Sequence, residues 1–217
     1  MTTTEALLDD AMVKSVTMQS FHYPLEFEFK ITSLANDFSA RDANGQMLAY
    51  VRQKMFKFKE AISVFTDESR SEVLYTINAD RWIDFNASYM FSKGKGNEVF
   101  GRVGRKGARS LFNAHYEIFD SEGEQEFTIR EENPWAKFWD AVMGEIPVLS
   151  LFTGYLFNPR YIVKRVDGTE VARLSKEASF FGRRFKLDKL TESLERDESE
   201  RMLLSLMMMS LLERRRG

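Results

Sequence analysis

The chain has 217 residues, 43% of them hydrophobic and 29% charged, which is enough apolar material for one ordinary domain with a full core. Thirty-one basic against thirty-three acidic side chains leave a formal charge of −2, so no global field favours nucleic acid. Cysteine is absent and histidine occurs twice, which excludes disulfides, thiol catalysis, iron–sulfur clusters and cysteine-based zinc sites and fits a reducing compartment.

Residues 1–24 read as an N-terminal extension. Thr2 and Glu5 stand at capping-box spacing ahead of Leu7, Leu8, Ala11 and Met12, which suggests a short helix. Nothing there has the positive-then-apolar order of a secretory signal. From Leu25 the period changes to two: Leu25-Glu26-Phe27-Glu28-Phe29-Lys30-Ile31 alternates apolar and charged residues, as a half-buried strand does. Similar runs follow at Met47–Arg52, Ile62–Phe65, Val73–Ile77, Ala87–Phe91, Val99–Val103, Phe112–Phe119 and Phe127–Arg130. Tyr161–Val166, Val171–Leu174 and Phe185–Leu187 complete the series. Turn signals such as Asp42-Ala43-Asn44-Gly45, Asp120-Ser121-Glu122-Gly123 and Asp167-Gly168 separate them. Phe38…Asp42…Gly45 and Tyr116…Asp120…Gly123 share a spacing, with a shorter third version at Tyr161…Asp167-Gly168, and each reads as strand, tight turn, returning strand. Short strands at this spacing predict a mainly β fold, an antiparallel barrel or sandwich.

Two helices interrupt the pattern. Asn133 suits an N-cap and Pro134 the first helical position, and Trp135, Phe138, Trp139, Val142 and Met143 then form one amphipathic stripe up to Gly144. The last helix, about 197–215, is apolar on every side in its middle, through Met202, Leu203, Leu206, Met207, Met208, Met209 and Leu211. A helix of that kind must be surrounded. Its apolar core is shorter than the roughly 20 residues a bilayer span needs, so no transmembrane helix is expected and the inside of the β structure is its natural place.

A barrel of about 12 antiparallel strands closed around a hydrophobic C-terminal helix resembles the tubby C-terminal-like superfamily, which includes the LURP-one-related proteins and, more distantly, the phospholipid scramblases. The residues that carry the resemblance are Phe157-Asn158-Pro159-Arg160-Tyr161-Ile162-Val163, Asp167-Gly168-Thr169-Glu170-Val171-Ala172-Arg173-Leu174 and Ser179-Phe180-Phe181-Gly182-Arg183-Arg184-Phe185, followed by the apolar helix. It covers roughly residues 25–212 and makes 25–217 a single barrel domain. The resemblance implies no shared catalytic constellation. It implies phosphoinositide-type membrane binding for some members and lipid handling for others, although the Cys-rich and Pro-rich segments and acidic calcium loop of scramblases have no counterpart here.

Two basic clusters are the candidate anion or lipid-headgroup contacts: Arg102, Arg105, Lys106 and Arg109 among glycines, and Arg183, Arg184 and Lys186 beside Phe180 and Phe181. The plainer account of each is a solvated basic hairpin or an outward strand face. Trp135, Phe138 and Trp139 are candidate membrane-interface residues, with packing on the barrel flank as the competing reading. Neither His22 nor His115 has a sequence-local carboxylate or nucleophile, so no catalytic residue, metal or cofactor is assigned. The expectation is a non-enzymatic cytoplasmic domain, peripheral to the inner face of a membrane or bound to a protein partner. The alternatives are a carrier of an apolar ligand against the Met-rich helix and a scramblase-like lipid-handling protein.

Overall fold

The computed structural model describes residues 21–31, 35–54, 61–80, 87–106, 115–132, 160–177 and 183–214. Strands β1 (Leu25–Ile31), β2 (Ala35–Arg41), β3 (Met47–Lys54), β4 (Ile62–Phe65), β5 (Val73–Asp80) and β6 (Ala87–Lys93) are followed by β7 (Val99–Lys106) and β8 (His115–Phe119). The series continues with β9 (Gln125–Glu131), β10 (Arg160–Arg165), β11 (Glu170–Glu177) and β12 (Arg183–Lys189) and ends in helix α1 (Arg196–Arg214). Each strand pairs antiparallel with its neighbours in sequence, and β1 pairs with β12, so the twelve strands close into an up-and-down barrel with no free edge. The amphipathic helix expected after Asn133, the apolar run 147–157 and the short helix over 2–14 lie outside the described residues.

Alternation sets the two faces. Leu25, Phe27 and Phe29 point inward beside Phe38 and Ala40 of β2, while Glu26 and Glu28 point out. The Phe29 ring meets Phe38 edge-on at 4.6 Å and Phe185 of β12 at 5.9 Å. Such aromatic pairs add about 0.5–1.5 kcal/mol each beyond the area they bury. Met202, Leu203, Leu204, Leu206, Met207 and Met208 are fully buried, and consecutive burial of this kind requires contact on every side of α1. The helix is the barrel's core.

The hairpins β2–β3, β4–β5, β6–β7, β8–β9 and β10–β11 all turn at one rim, because each even strand feeds the next odd one there. Each turn holds one left-handed residue: Gly45, Arg70, Gly94, Gly123 or Gly168. In four of them an aspartate carboxylate caps backbone N–H groups across the turn, Asp42 to Asn44 and Gln46, Asp67 to Ser69, Asp120 to Glu122 and Glu124, and Asp167 to Thr169. Just beyond each turn the odd strand carries a bulge, at Leu48, Leu74, Phe100, Glu126 and Val171. A bulge sets two neighbouring side chains against one partner and re-aims the extra one. Four of these residues are apolar and buried, so the bulges thicken the core at this rim. The similarity of the aspartate–glycine turns is therefore a repeated hairpin geometry.

Candidate functional site

The fifth bulge residue, Glu126, is the polar exception and meets the helix. Its carboxylate receives two hydrogen bonds from Arg201 of α1, at 2.7 Å from Nε and 2.5 Å from Nη2. The Arg201 stem passes directly over Gly101 of β7, and its guanidinium lies 5.1 Å from the Phe100 ring centre. Arg165 of β10 grips Glu198 through both terminal nitrogens and also donates to the Ser193 carbonyl at 2.7 Å. The Tyr75 hydroxyl donates to the fully buried Glu200, which also accepts from Arg196 Nε at 3.1 Å. Burial and the Glu200 charge push the Tyr75 hydroxyl far above its ordinary pKa and keep it a donor. Burial alone would raise Glu198, but hydrogen bonds from Arg165 and the Glu195 N–H, with the charges of Arg165 and Arg201, hold it below the usual glutamate range. Acidic residues in the first turn, Asp197 and Glu198, also suit the positive end of the helix. This network is an ionic lock closing one end of the barrel over α1.

The lock is built from residues other than the proposed cations. Arg102 faces outward and pairs with Asp80 at 3.3 Å. Arg105 does not reach the surface: it points inward beside Tyr116, its guanidinium 5.9 Å from that ring, and is 4% exposed. The segment Val99–Lys106 is a strand paired on both sides, so its alternation turns Arg105 into the wall. Lys106 pairs with Glu117 at 2.8 Å. His115 stands on the same outer face, 3.5 Å from Glu117, and burial together with the Arg130 charge pushes its pKa below the ordinary histidine value. On β12, Arg184 pairs with Glu28 at 3.4 Å and Lys186 with Asp188 at 2.8 Å. Strands β7 and β12 stand on opposite sides of the ring, so the two clusters are not one patch. Arg109, Trp135, Phe138 and Trp139 lie outside the described residues, as does the Arg183 side chain.

Charge is nevertheless distributed unevenly along the barrel. At the rim opposite the hairpins, exposed Lys30, Arg52, Lys106, Arg130, Arg160 and Arg184 lie at or within two residues of a strand end, with Glu177 as an exposed acid among them. At the hairpin rim the exposed acids Asp67, Glu68, Glu72, Glu122, Glu124 and Asp167 outnumber the exposed cations Arg70 and Lys95. Sequence reading missed this axial polarity because it weighed clusters that are continuous in the chain. The cations of the opposite rim come from separate strands and meet only after closure. The lock was missed for the same reason, although Glu198, Glu200 and Arg201 on an otherwise enclosed helix were its signal.

A closed meander barrel sealed around its own C-terminal helix defines a barrel class whose wall is the accessible part, since the axis is occupied. The chain belongs to the LURP-one-related family, whose model matches residues 47–192. Comparison with curated proteins and with solved structures gives no match. No described helix is long and apolar enough to cross a membrane, and no group of three or more His, Asp or Glu among the described residues is placed to hold a metal ion.

Proposed function

We propose that this LURP-one-related barrel is a non-catalytic module that associates peripherally with an anionic membrane surface, on the inner face of a membrane in a reducing compartment. The axial charge separation is the observation that carries the reading. Among the described residues, exposed cations outnumber exposed acids at one rim and acids outnumber cations at the other, and the cationic rim is the one suited to a negative surface. Each Lys or Arg near such a surface is worth about 1 kcal/mol, less where a carboxylate already pairs with it. Lys30, Arg52, Lys106 and Arg184 are so paired, which makes the association modest and strongly dependent on salt. The carrier reading draws no support from the interior, because Met202, Met207 and Met208 are packed with no exposed surface.

The test is co-sedimentation with neutral and with anionic liposomes at low and physiological salt. The reading expects binding only to anionic vesicles, fading as salt rises, and lost in the variant Lys106→Glu/Arg130→Glu/Arg184→Glu. Absence of binding, or equal binding by that variant, contradicts it.

A further inference from the structure

The connections at the two rims of the barrel are of opposite kinds. At the hairpin rim they are short and polar: residues 42–46, 66–72, 94–98, 120–124 and 166–169, with the 190–195 link into α1, contain no Phe, Trp or Tyr. The large exposed apolar side chains described there are aliphatic, Val166 and Leu190. At the opposite rim each odd strand is joined to the next even one, by residues 32–34, 55–61, 81–86, 107–114, 132–159 and 178–182. Those six connections carry thirteen aromatic residues, including all three tryptophans of the chain, Trp82, Trp135 and Trp139.

Covalent reach holds the aromatics to that end whatever path each connection takes. Phe56 and Trp82 follow the last residues of β3 and β5 by two positions, Trp135 follows the end of β9 by four, and Phe181 precedes β12 by two. At no more than about 3.6 Å per residue, two to four residues span at most roughly 7–14 Å. Strands β3 and β5 have eight residues and β9 and β12 seven, which at about 3.3 Å per residue makes them roughly 23–26 Å long. These aromatics therefore cannot reach the hairpin rim. The longest connection is also pinned where it leaves and rejoins the wall, since the Glu132 N–H donates to the Arg160 carbonyl at 2.8 Å.

Aromatic residues gathered with cations at one end of a protein suit a particular environment. Tryptophan favours the headgroup level of a bilayer, where its ring is half in hydrocarbon and its N–H stays wet, and phenylalanine adds apolar area. The exposed cations Lys30, Arg52, Arg130 and Arg160 lie at the same rim. We infer that this rim inserts aromatic side chains, Trp135 and Trp139 first among them, into the interfacial layer of an anionic bilayer. The inference rests on the membrane reading and adds an apolar anchor to it: the cations bring the barrel to the surface, and the aromatics hold it there.

The experiment is tryptophan fluorescence of the full chain with vesicles of phosphatidylcholine and phosphatidylserine in equal parts, with or without bromine on the phosphatidylcholine acyl chains. Co-sedimentation with the same vesicles runs beside it. No tryptophan lies elsewhere in the chain, so the signal reports this rim alone. The bound protein should emit at shorter wavelength than the free one, and brominated lipid should quench its emission by at least half. Trp135→Ser/Trp139→Ser should bind the vesicles at least tenfold more weakly with an unchanged melting temperature. Phe180→Ser/Phe181→Ser, on another connection, supplies the same readout if the first variant folds poorly. Sedimentation without quenching, or affinity equal to the parent's in both variants, overturns the insertion and leaves a purely electrostatic association. Absence of sedimentation overturns the membrane reading and the insertion together.

Discussion

At Gly101 the β7 backbone runs so close to α1 that a Cβ would sit 2.6 Å from Arg201 Cδ and 2.8 Å from the Phe119 carbonyl oxygen. The arginine cannot simply withdraw, since Glu126 fixes its far end. Gly101→Ala should therefore cost about 1–3 kcal/mol through overpacking, read as a lower urea midpoint at unchanged slope. A midpoint equal to that of the parent would mean that Arg201 has another course through the wall. In the sequence this glycine looked like part of a basic, glycine-spaced loop, and Arg105 looked like its neighbouring surface cation. Spacing alone hides both facts, because a bulge at Phe100 and the alternation that follows decide which side chains turn inward. Met208, by contrast, was legible: a methionine inside an all-apolar helix has to be enclosed. Met208→Lys places an unpaired charge at a fully buried position and should destabilise by at least about 3 kcal/mol, and a variant that melts like the parent would contradict the enclosed helix.

The elements were read with unequal success for a physical reason. Strands β1 and β4 have the residues the alternation predicted, Leu25–Ile31 and Ile62–Phe65. Strand β2, Ala-Asn-Asp-Phe-Ser-Ala-Arg, offers Phe38 and Ala40 to the core among its described side chains and showed itself solely through its aspartate–glycine turn. Helix α1 spans Arg196–Arg214 as its composition required, but its charged first turns carried a second role. There the Arg201–Glu126 pair predicts strong coupling. Either Arg201→Met or Glu126→Gln alone leaves an uncompensated buried charge and should cost about 3–5 kcal/mol, while the double variant regains much of it. Purely additive losses would show that the two residues are only neighbours. The Arg165–Glu198 pair sets a pH dependence. Because the Glu198 pKa is lower in the folded chain than its ordinary 4.5, its contribution is fully present above that value and is lost as pH falls through the lowered one. A thermal-melting series from pH 7 to pH 3 should show a steeper acid loss for the parent than for Glu198→Gln. Parallel curves would remove Glu198 from the lock.

For the whole molecule, closure makes both the core and the surface. Pairing β1 with β12 removes sheet edges, encloses α1, and gathers onto one rim cations that lie far apart in the chain. The fold class could be read because periodicity and the apolar helix are local signals. The polarity of the barrel and the lock could not, since each depends on strand register around a closed ring. The claim that unites them is that α1 is a permanent core and that binding happens on the outside. Amide hydrogen exchange with and without anionic vesicles tests it most directly. Residues 202–209 should exchange only by global unfolding and at the same rate in both conditions, with added protection confined to the rim opposite the hairpins. Rapid exchange in 202–209, or exchange there that changes with vesicles, would contradict the account and make the helix itself the membrane-active part.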